Sequence, residues 1–124
     1  MRAVFFVALG GAIGSLLRWS ATSWVAQQAR SEFPWGTLGV NLAGSFAIGF
    51  VLTLVFERGH VTPSQRLFLV PGLLGGFTTF SAFSWETLVL WRGGHALATA
   101  GYVAGSVLGG LAAALAGAAL AARL

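Results

Sequence analysis

The chain alternates between long stretches that lack charged residues and short connections that hold most of the charge. The uncharged stretches cover residues 3–17, 19–29, 36–56, 67–85 and 93–122. A helix crosses about 30 Å of hydrocarbon with roughly 20 mostly apolar residues. The pattern therefore predicts an all-α membrane protein whose four spanning helices form a single domain, residues 1–124. The helices are placed at about residues 3–26, 36–56, 67–91 and 96–121.

Composition strengthens this prediction, because the chain lacks the polar residues with which a small soluble domain covers its surface. Only 8% of its 124 residues are charged, against about 25% in ordinary soluble domains. All seven basic residues are arginines, mostly at chain ends and in loops. They do not form the basic patch of a nucleic-acid-binding protein. We therefore expect the lipid bilayer as the partner of most of the surface, and no nucleic acid.

The arginines also bear on the orientation of the chain in the membrane. With four helices, both termini and the second loop share one side, which holds Arg2, Arg58, Arg66 and Arg123. The other side holds Arg30, Arg92 and, through its long side chain, Arg18. Orientation follows the excess of basic residues in cytoplasmic loops, and the excess here is small. The sequence thus predicts insertion in both orientations.

Small residues recur every four positions in the predicted helices, most regularly in the fourth. Its series is Gly101, Gly105, Gly109, Ala113, Gly117 and Ala121. Such faces let helix backbones approach closely in lipid, where no hydrophobic effect drives helices together. Part of this pattern serves packing within the chain. Since four helices leave little room for a lined pathway, we also expect a homo-oligomer.

A few uncharged polar side chains lie inside the predicted helices. Asn41 is in the second helix, with Ser45 one turn further along the same face. An amide in hydrocarbon needs a hydrogen-bond partner, so Asn41 either joins helices or lines a pathway as a donor. In the fourth helix Tyr102 and Ser106 are one turn apart. They extend a line of hydrogen-bonding groups, unless Tyr102 is an interfacial anchor.

Two charged residues lie well inside the predicted helices. Arg18 either extends to the interface or attracts anions to a vestibule. Glu86 is a candidate for the membrane carboxylate of a proton-coupled carrier, and its role is left open. His60 and His95 are solitary loop residues without the spacing of a metal site. Because no Ser–His–Asp constellation or phosphate-binding motif is present either, no enzyme is expected.

The third helix contains the run GGFTTFSAFS, residues 75–84, which combines poor helix formers with hydroxyl side chains. Together with Pro71 it predicts a helix that is broken near the bilayer midplane. Non-helical backbone at that depth persists only inside protein or along a cavity, and broken helices there typically hold ions. The positive ring edges of Phe77, Phe80 and Phe83 suit a small anion that is bound weakly enough to be released.

Three segments together resemble the Fluc (CrcB) family of fluoride channels. They are GGAIGSLLRW at residues 10–19, WGTLGVNLAGSFAIG at 35–49 and GGFTTFSAFSWE at 75–86. With the four-helix layout, the resemblance covers essentially the whole chain. It implies a passive channel that exports fluoride and relieves its toxicity, in the inner (plasma) membrane of a prokaryote. It also implies an antiparallel, dual-topology homodimer with two fluoride pathways.

The resemblance further implies roles for residues of the broken helix and its neighbour. A central structural Na⁺ would be held by the main-chain carbonyls of Gly75 and Thr78 from both subunits. Phe80 and Phe83 would line the pathway with their ring edges, and Asn41 would supply its amide.

Other positions follow from the same resemblance. Tyr102 and Ser106 would face the pore from the fourth helix, and Arg18 matches the basic residue of the first segment. The sequence departs from the family at Ala82, where the family often has Thr. The hydroxyls that remain around this position belong to Thr79, Ser81 and Ser84.

Two alternatives from other classes stay open. A small, dimeric, proton-coupled multidrug exporter with four helices would need a carboxylate that binds substrate and proton in turn. The first helix offers Arg18 in place of such an acid, which weighs against it. A non-transporting membrane scaffold would need packing faces but no broken, hydroxyl-rich helix.

Overall fold

The computed structural model describes residues 1–59 and 61–124, without the side chains of residues 56–58. Within this part of the chain, all regular secondary structure is helical. Four helical spans are long and apolar enough to cross a membrane, which confirms the predicted number. His60 and the side chain of Arg58, which entered the sequence analysis, lie outside the described residues. The single-domain organisation stays a prediction.

Three of the spans are uninterrupted helices. They are α1, Arg2–Ala29; α2, Trp35–Arg58; and α6, Ala96–Ala121. The connection after α1 begins at Arg30, whose φ of 45° is left-handed and ends the helix. This connection contacts the one before α6, since His95 Nε2 lies 2.9 Å from Glu32 Oε2. The two connections therefore share one end of the molecule.

The remaining span is composite. It consists of α3, Pro63–Leu67; a π-helix, Phe68–Leu74; α4, Gly75–Phe77; and α5, Phe80–Arg92. Between α4 and α5, Thr78 and Thr79 are extended, with ψ angles of 158° and 122°. These two extended residues separate α4 from α5 within the span.

Local sequence explains the irregular parts of this span. Thr62 and Gln65 form a capping box that starts α3, with Pro63 at its first position. Pro71 lies inside the π-helix, whose wider turn accommodates a residue that has no N–H and clashes with an ordinary helical turn. Thr79 starts α5, because its side chain accepts a hydrogen bond from the Ala82 N–H at 3.2 Å.

Glycines set how closely the helices pack. α1 packs on the π-helix and α4, and a Cβ at Gly76 would lie only 2.6 Å from the Gly11 carbonyl oxygen. α2 packs along α6, where Gly49 touches the Ala114 backbone and Gly117 touches the Phe46 backbone. Any larger residue at these contacts would push the helices apart, as the small-residue pattern predicts.

Much of the apolar surface of the single chain is exposed, as suits a surface that faces lipid or a second subunit. All five tryptophans belong to this surface, with exposed fractions between 52% and 67%. They are Trp19, Trp24, Trp35, Trp85 and Trp91. Each lies in the half of its span nearest the first and third connections, which indicates that this end sits at a membrane–water interface.

Candidate functional site

A groove of about 530 Å³ lies between α2, the composite span and α6. Six of the predicted site residues line it: Asn41, Gly75, Thr78, Phe80, Phe83 and Ser106. None of the described residues that line it is charged. The groove therefore brings together an amide, hydroxyls, main-chain carbonyls and aromatic rings from three spans.

Asn41 holds the extended residues against α2. Its Nδ2 donates to the Thr79 carbonyl oxygen at 2.9 Å, and its Oδ1 accepts from the Thr79 N–H at 2.8 Å. The pair of bonds satisfies both backbone groups of a residue that has left the helix. Asn41 thus joins α2 to the composite span, and its side chain also borders the groove. Its role in an ion pathway stays a prediction.

This arrangement removes the helical donors of carbonyl oxygens at the break, among them those of Gly75 and Thr78. In a continuous helix the N–H of Thr79 would bond to the carbonyl of Gly75, and the N–H of Ala82 to that of Thr78. Here the first N–H donates to Asn41 Oδ1 and the second to Thr79 Oγ1. The carbonyls of Gly75 and Thr78 are the two that the family resemblance singles out for a cation.

Side chains with carboxylates or imidazoles offer no alternative cation site in the described residues, where no group of three or more His, Cys, Asp or Glu lies together. A cation at the interruption between α4 and α5 would take main-chain oxygen ligands. Unwound carbonyls at such interruptions are suitable ligands for Na⁺.

Two phenylalanines border the groove at the start of α5. The rings of Phe80 and Phe83 have centroids 5.5 Å apart and planes at 47°. Phe83 also contacts the buried ring of Tyr102, with centroids 5.2 Å apart. Phe80 is 79% exposed in the single chain, so one face of the groove is open.

The hydroxyls of α5 make their hydrogen bonds within their own span. Ser84 Oγ donates to the Phe80 carbonyl at 2.9 Å, and Ser81 Oγ lies 3.3 Å from Thr79 Oγ1. Neither serine lines the groove. At Ala82, the position that departs from the family, it is the backbone N–H that makes the capping bond. This bond does not depend on the side chain at position 82.

A carboxylate connects α2, α5 and α6 beside the groove. Tyr102 OH donates to Glu86 Oε2 at 2.6 Å, and Thr37 Oγ1 donates to Glu86 Oε1 at 2.7 Å. Tyr102 is fully buried and Thr37 is nearly so. Glu86 and Thr37 also line a second cavity, of about 320 Å³, toward the first connection.

Sequence reasoning missed this triad, although it had singled out two of its members separately. Thr37 lies one turn before Asn41 on α2, and this spacing is the one available signal that both face the same neighbours. Nothing in the sequence indicates which carboxylate or hydroxyl the buried tyrosine meets.

Arg18 makes a contact that neither of its two predicted roles includes. Its Nε donates to the Gly76 carbonyl oxygen at 3.0 Å, across the α1–α4 contact. A cation at the end of a helical run is favourable, because carbonyl oxygens there lack helical donors. Arg18 does not line the groove.

The amino-acid sequence is similar to known proteins over most of its length. The family described as CrcB-like protein, Camphor Resistance (CrcB), matches residues 5–118. A protein of Thermus thermophilus is 51% identical over 105 residues, which are 85% of this chain and 82% of that one. A protein of Chloroflexus aurantiacus is 45% identical over 117 residues, 94% and 93% of the two chains. Both relatives are named fluoride-specific ion channel FluC.

Proposed function

Because the chain belongs to the CrcB family, we propose that it is a passive, fluoride-selective channel of the prokaryotic plasma membrane. Its proposed function is to let fluoride leave the cell, which relieves fluoride toxicity. The matches also confirm the resemblance that the sequence segments predicted. The proposal includes no enzymatic step and no coupling of transport to ATP.

The observation that carries the proposal is a groove lined by hydrogen-bonding groups and aromatic rings, with no charged side chain among its described lining residues. Fluoride is small and strongly hydrated, so it needs donors in place of water. The second Nδ2–H of Asn41, the Ser106 hydroxyl and the edges of Phe80 and Phe83 are groups of this kind. Because none of them carries a full charge, the ion is bound weakly enough to leave.

The Glu86 triad has a place beside this pathway. Tyr102 and Ser106 lie one turn apart on α6, so they extend the line of polar groups from the groove toward the second cavity. We place Tyr102 at the edge of the pathway, where its hydroxyl is oriented by Glu86. Ser81, Ser84 and Arg18 stay proposed pathway residues by the family motif, although their contacts in the single chain are to other groups.

A structural Na⁺ at the centre of the assembly is also part of the proposal. The carbonyls of Gly75 and Thr78 would hold it, and both lack the N–H donors that a continuous helix would give them. When bound, the ion supplies a fixed positive charge near the pathway and joins the interrupted spans of two subunits.

The proposed assembly is an antiparallel homodimer whose interrupted spans meet near the bilayer midplane. The exposure of Phe80 supports this homodimer. Its ring is 79% exposed beside the open face of the groove, and a second copy of the chain would cover both. The small excess of arginines at one end supports dual topology.

The proposal is tested with the purified protein in liposomes loaded with fluoride, with a K⁺ ionophore to balance charge and a fluoride electrode outside. We expect fluoride release far above that of protein-free liposomes, and no comparable chloride or proton flux. A proton-coupled multidrug exporter would instead move protons with its substrate, and a scaffold would release nothing. Either of these results would refute the channel.

A further inference from the structure

The interruption between α4 and α5 is held from two sides by side chains of other helices. On the side of α2, Asn41 bonds to both backbone groups of Thr79. On the side of α1, Arg18 Nε donates to the Gly76 carbonyl oxygen at 3.0 Å. In a continuous helix that oxygen would accept the N–H of Phe80, but two extended residues separate α4 from α5. Arg18 therefore supplies a donor in place of the one that the break removes.

A close glycine contact between α1 and the composite span brings Arg18 to this position. A Cβ at Gly76 would lie 2.6 Å from the Gly11 carbonyl oxygen, and a Cβ at Gly14 would overlap the Leu73 carbonyl. Gly11, Gly14 and Arg18 follow one another at spacings of three and four residues, so they share one face of α1. The Arg18 side chain is half-buried on this face. The glycines thus set the distance at which it meets the break.

The donor in this contact is Nε, which lies within the side chain and not at its tip. It bonds to a residue between Gly75 and Thr78, whose carbonyls are the proposed ligands of Na⁺. A positive charge at this position repels a cation at the neighbouring carbonyls. The favourable contribution of Arg18 to a cation site is therefore its N–H donor and not its charge.

We propose that Arg18 is a positioning residue of the interrupted span. Its Nε–H holds the Gly76 carbonyl on the side of α1, and this bond fixes the backbone from which the carbonyls of Gly75 and Thr78 project. The inference rests on the proposed channel function and its structural Na⁺. It gives Arg18 a role that requires no contact with fluoride.

Three substitutions separate the donor of Arg18 from its charge. Arg18→Gln places an amide N–H as many bonds from the backbone as Nε and removes the charge. Arg18→Lys keeps the charge but has a methylene group in place of Nε. Arg18→Met has a similar length with neither donor nor charge. Arg2→Gln, the same chemical change at an exposed position of α1, is the matched control.

The first measurement is the thermal unfolding midpoint of the purified protein in detergent, in Na⁺ and in N-methylglucamine at equal ionic strength. The wild type should unfold at a higher temperature in Na⁺, because an ion that binds only the folded state stabilises it. Arg18→Gln should keep most of this difference, whereas Arg18→Lys and Arg18→Met should lose at least about half of it. A role in packing alone would lower both midpoints together and leave the difference unchanged.

The second measurement is fluoride release from liposomes. Arg18→Gln and the control should release within about threefold of the wild type, and Arg18→Lys roughly tenfold more slowly. The opposite order would overturn the proposal, since a charge that attracts anions is kept by Arg18→Lys and lost in Arg18→Gln. Failure of Arg18→Gln to fold, or an equal Na⁺ difference in all variants, would overturn it too. A wild type that neither releases fluoride nor responds to Na⁺ would refute the channel and its cation themselves, so the failures are distinct.

Discussion

At the scale of single residues, Asn41 shows how one side chain serves both the fold and the proposed pathway. Its carbonyl oxygen and one amide hydrogen bind the backbone of Thr79, and one amide hydrogen is left over. Substitutions at this position therefore act on the backbone and on the donor together.

Asn41→Asp should reduce fluoride release by at least about 100-fold. A carboxylate oxygen would face the Thr79 carbonyl, the spare donor would be lost, and a negative charge would enter the groove. The measurement is the initial rate of release from liposomes. Gln27→Glu, the same chemical change at an exposed position of α1, is the control and should leave the rate unchanged. A rate in Asn41→Asp equal to that of the control would remove Asn41 from the pathway.

Phe80→Ile should slow release by roughly tenfold or more, because it keeps an apolar side chain but removes the positive ring edge. Phe5→Ile provides the comparison, since Phe5 is also exposed, at 61%, but lies at the start of α1. We would abandon the role of ring edges if the two variants released fluoride at the same rate.

Residue types and positions were predictable, but their partners were not. The sequence identifies Asn41 as an amide that needs a partner, yet that partner lies 38 residues away in the chain. The same holds for Arg18, whose bond to Gly76 spans 58 residues. The chemistry of a side chain can be read from its own position in the sequence. Its hydrogen-bond partner depends on how two spans pack against each other, which the sequence does not state.

At the scale of elements, the composite span is the least regular of the four helical spans. The run GGFTTFSAFS predicts an interruption, and Thr78 and Thr79 are extended within it. The π-helix from Phe68 to Leu74 was not predicted, because proline in a helix is compatible with several local solutions. In the structure, Gly72 of this π-helix packs directly against the backbone of Gly10 on α1.

Two glycines on α6 offer a matched test of helix packing. Gly117 contacts the Phe46 carbonyl on α2, whereas Gly101 has no atom within 4 Å of an added Cβ. Gly117→Ala should therefore destabilise the fold by about 1–3 kcal/mol, and Gly101→Ala should not. Thermal unfolding in one detergent compares the variants. Equal unfolding midpoints would show that the α2–α6 contact is looser than the structure indicates.

At the scale of the whole molecule, the end that holds the first and third connections differs from the opposite end less in its number of arginines than in its number of tryptophans. All five tryptophans lie toward the end with the first and third connections, while the arginines are divided between both ends. Since arginines set orientation and tryptophans only anchor, the chain has little to fix its direction of insertion.

Gln28→Cys tests this point directly, because the chain has no native cysteine and Gln28 is exposed near the end of α1. In cells, we expect an impermeant thiol reagent to label about half of the protein from outside and the rest only after permeabilisation. Labelling that is complete from one side, or absent from it, would contradict dual topology.

The bonds between Asn41 and Thr79 join parts of the same chain. Each newly inserted copy can therefore build its interrupted span before it encounters another copy. In the proposed antiparallel homodimer, two copies that enter the bilayer in opposite directions would then need only to diffuse and dock, without unfolding any helix in lipid. Assembly of the proposed dimer would in this sense be a step separate from the folding of each copy, and its rate would depend on how often two copies meet in the plane of the membrane.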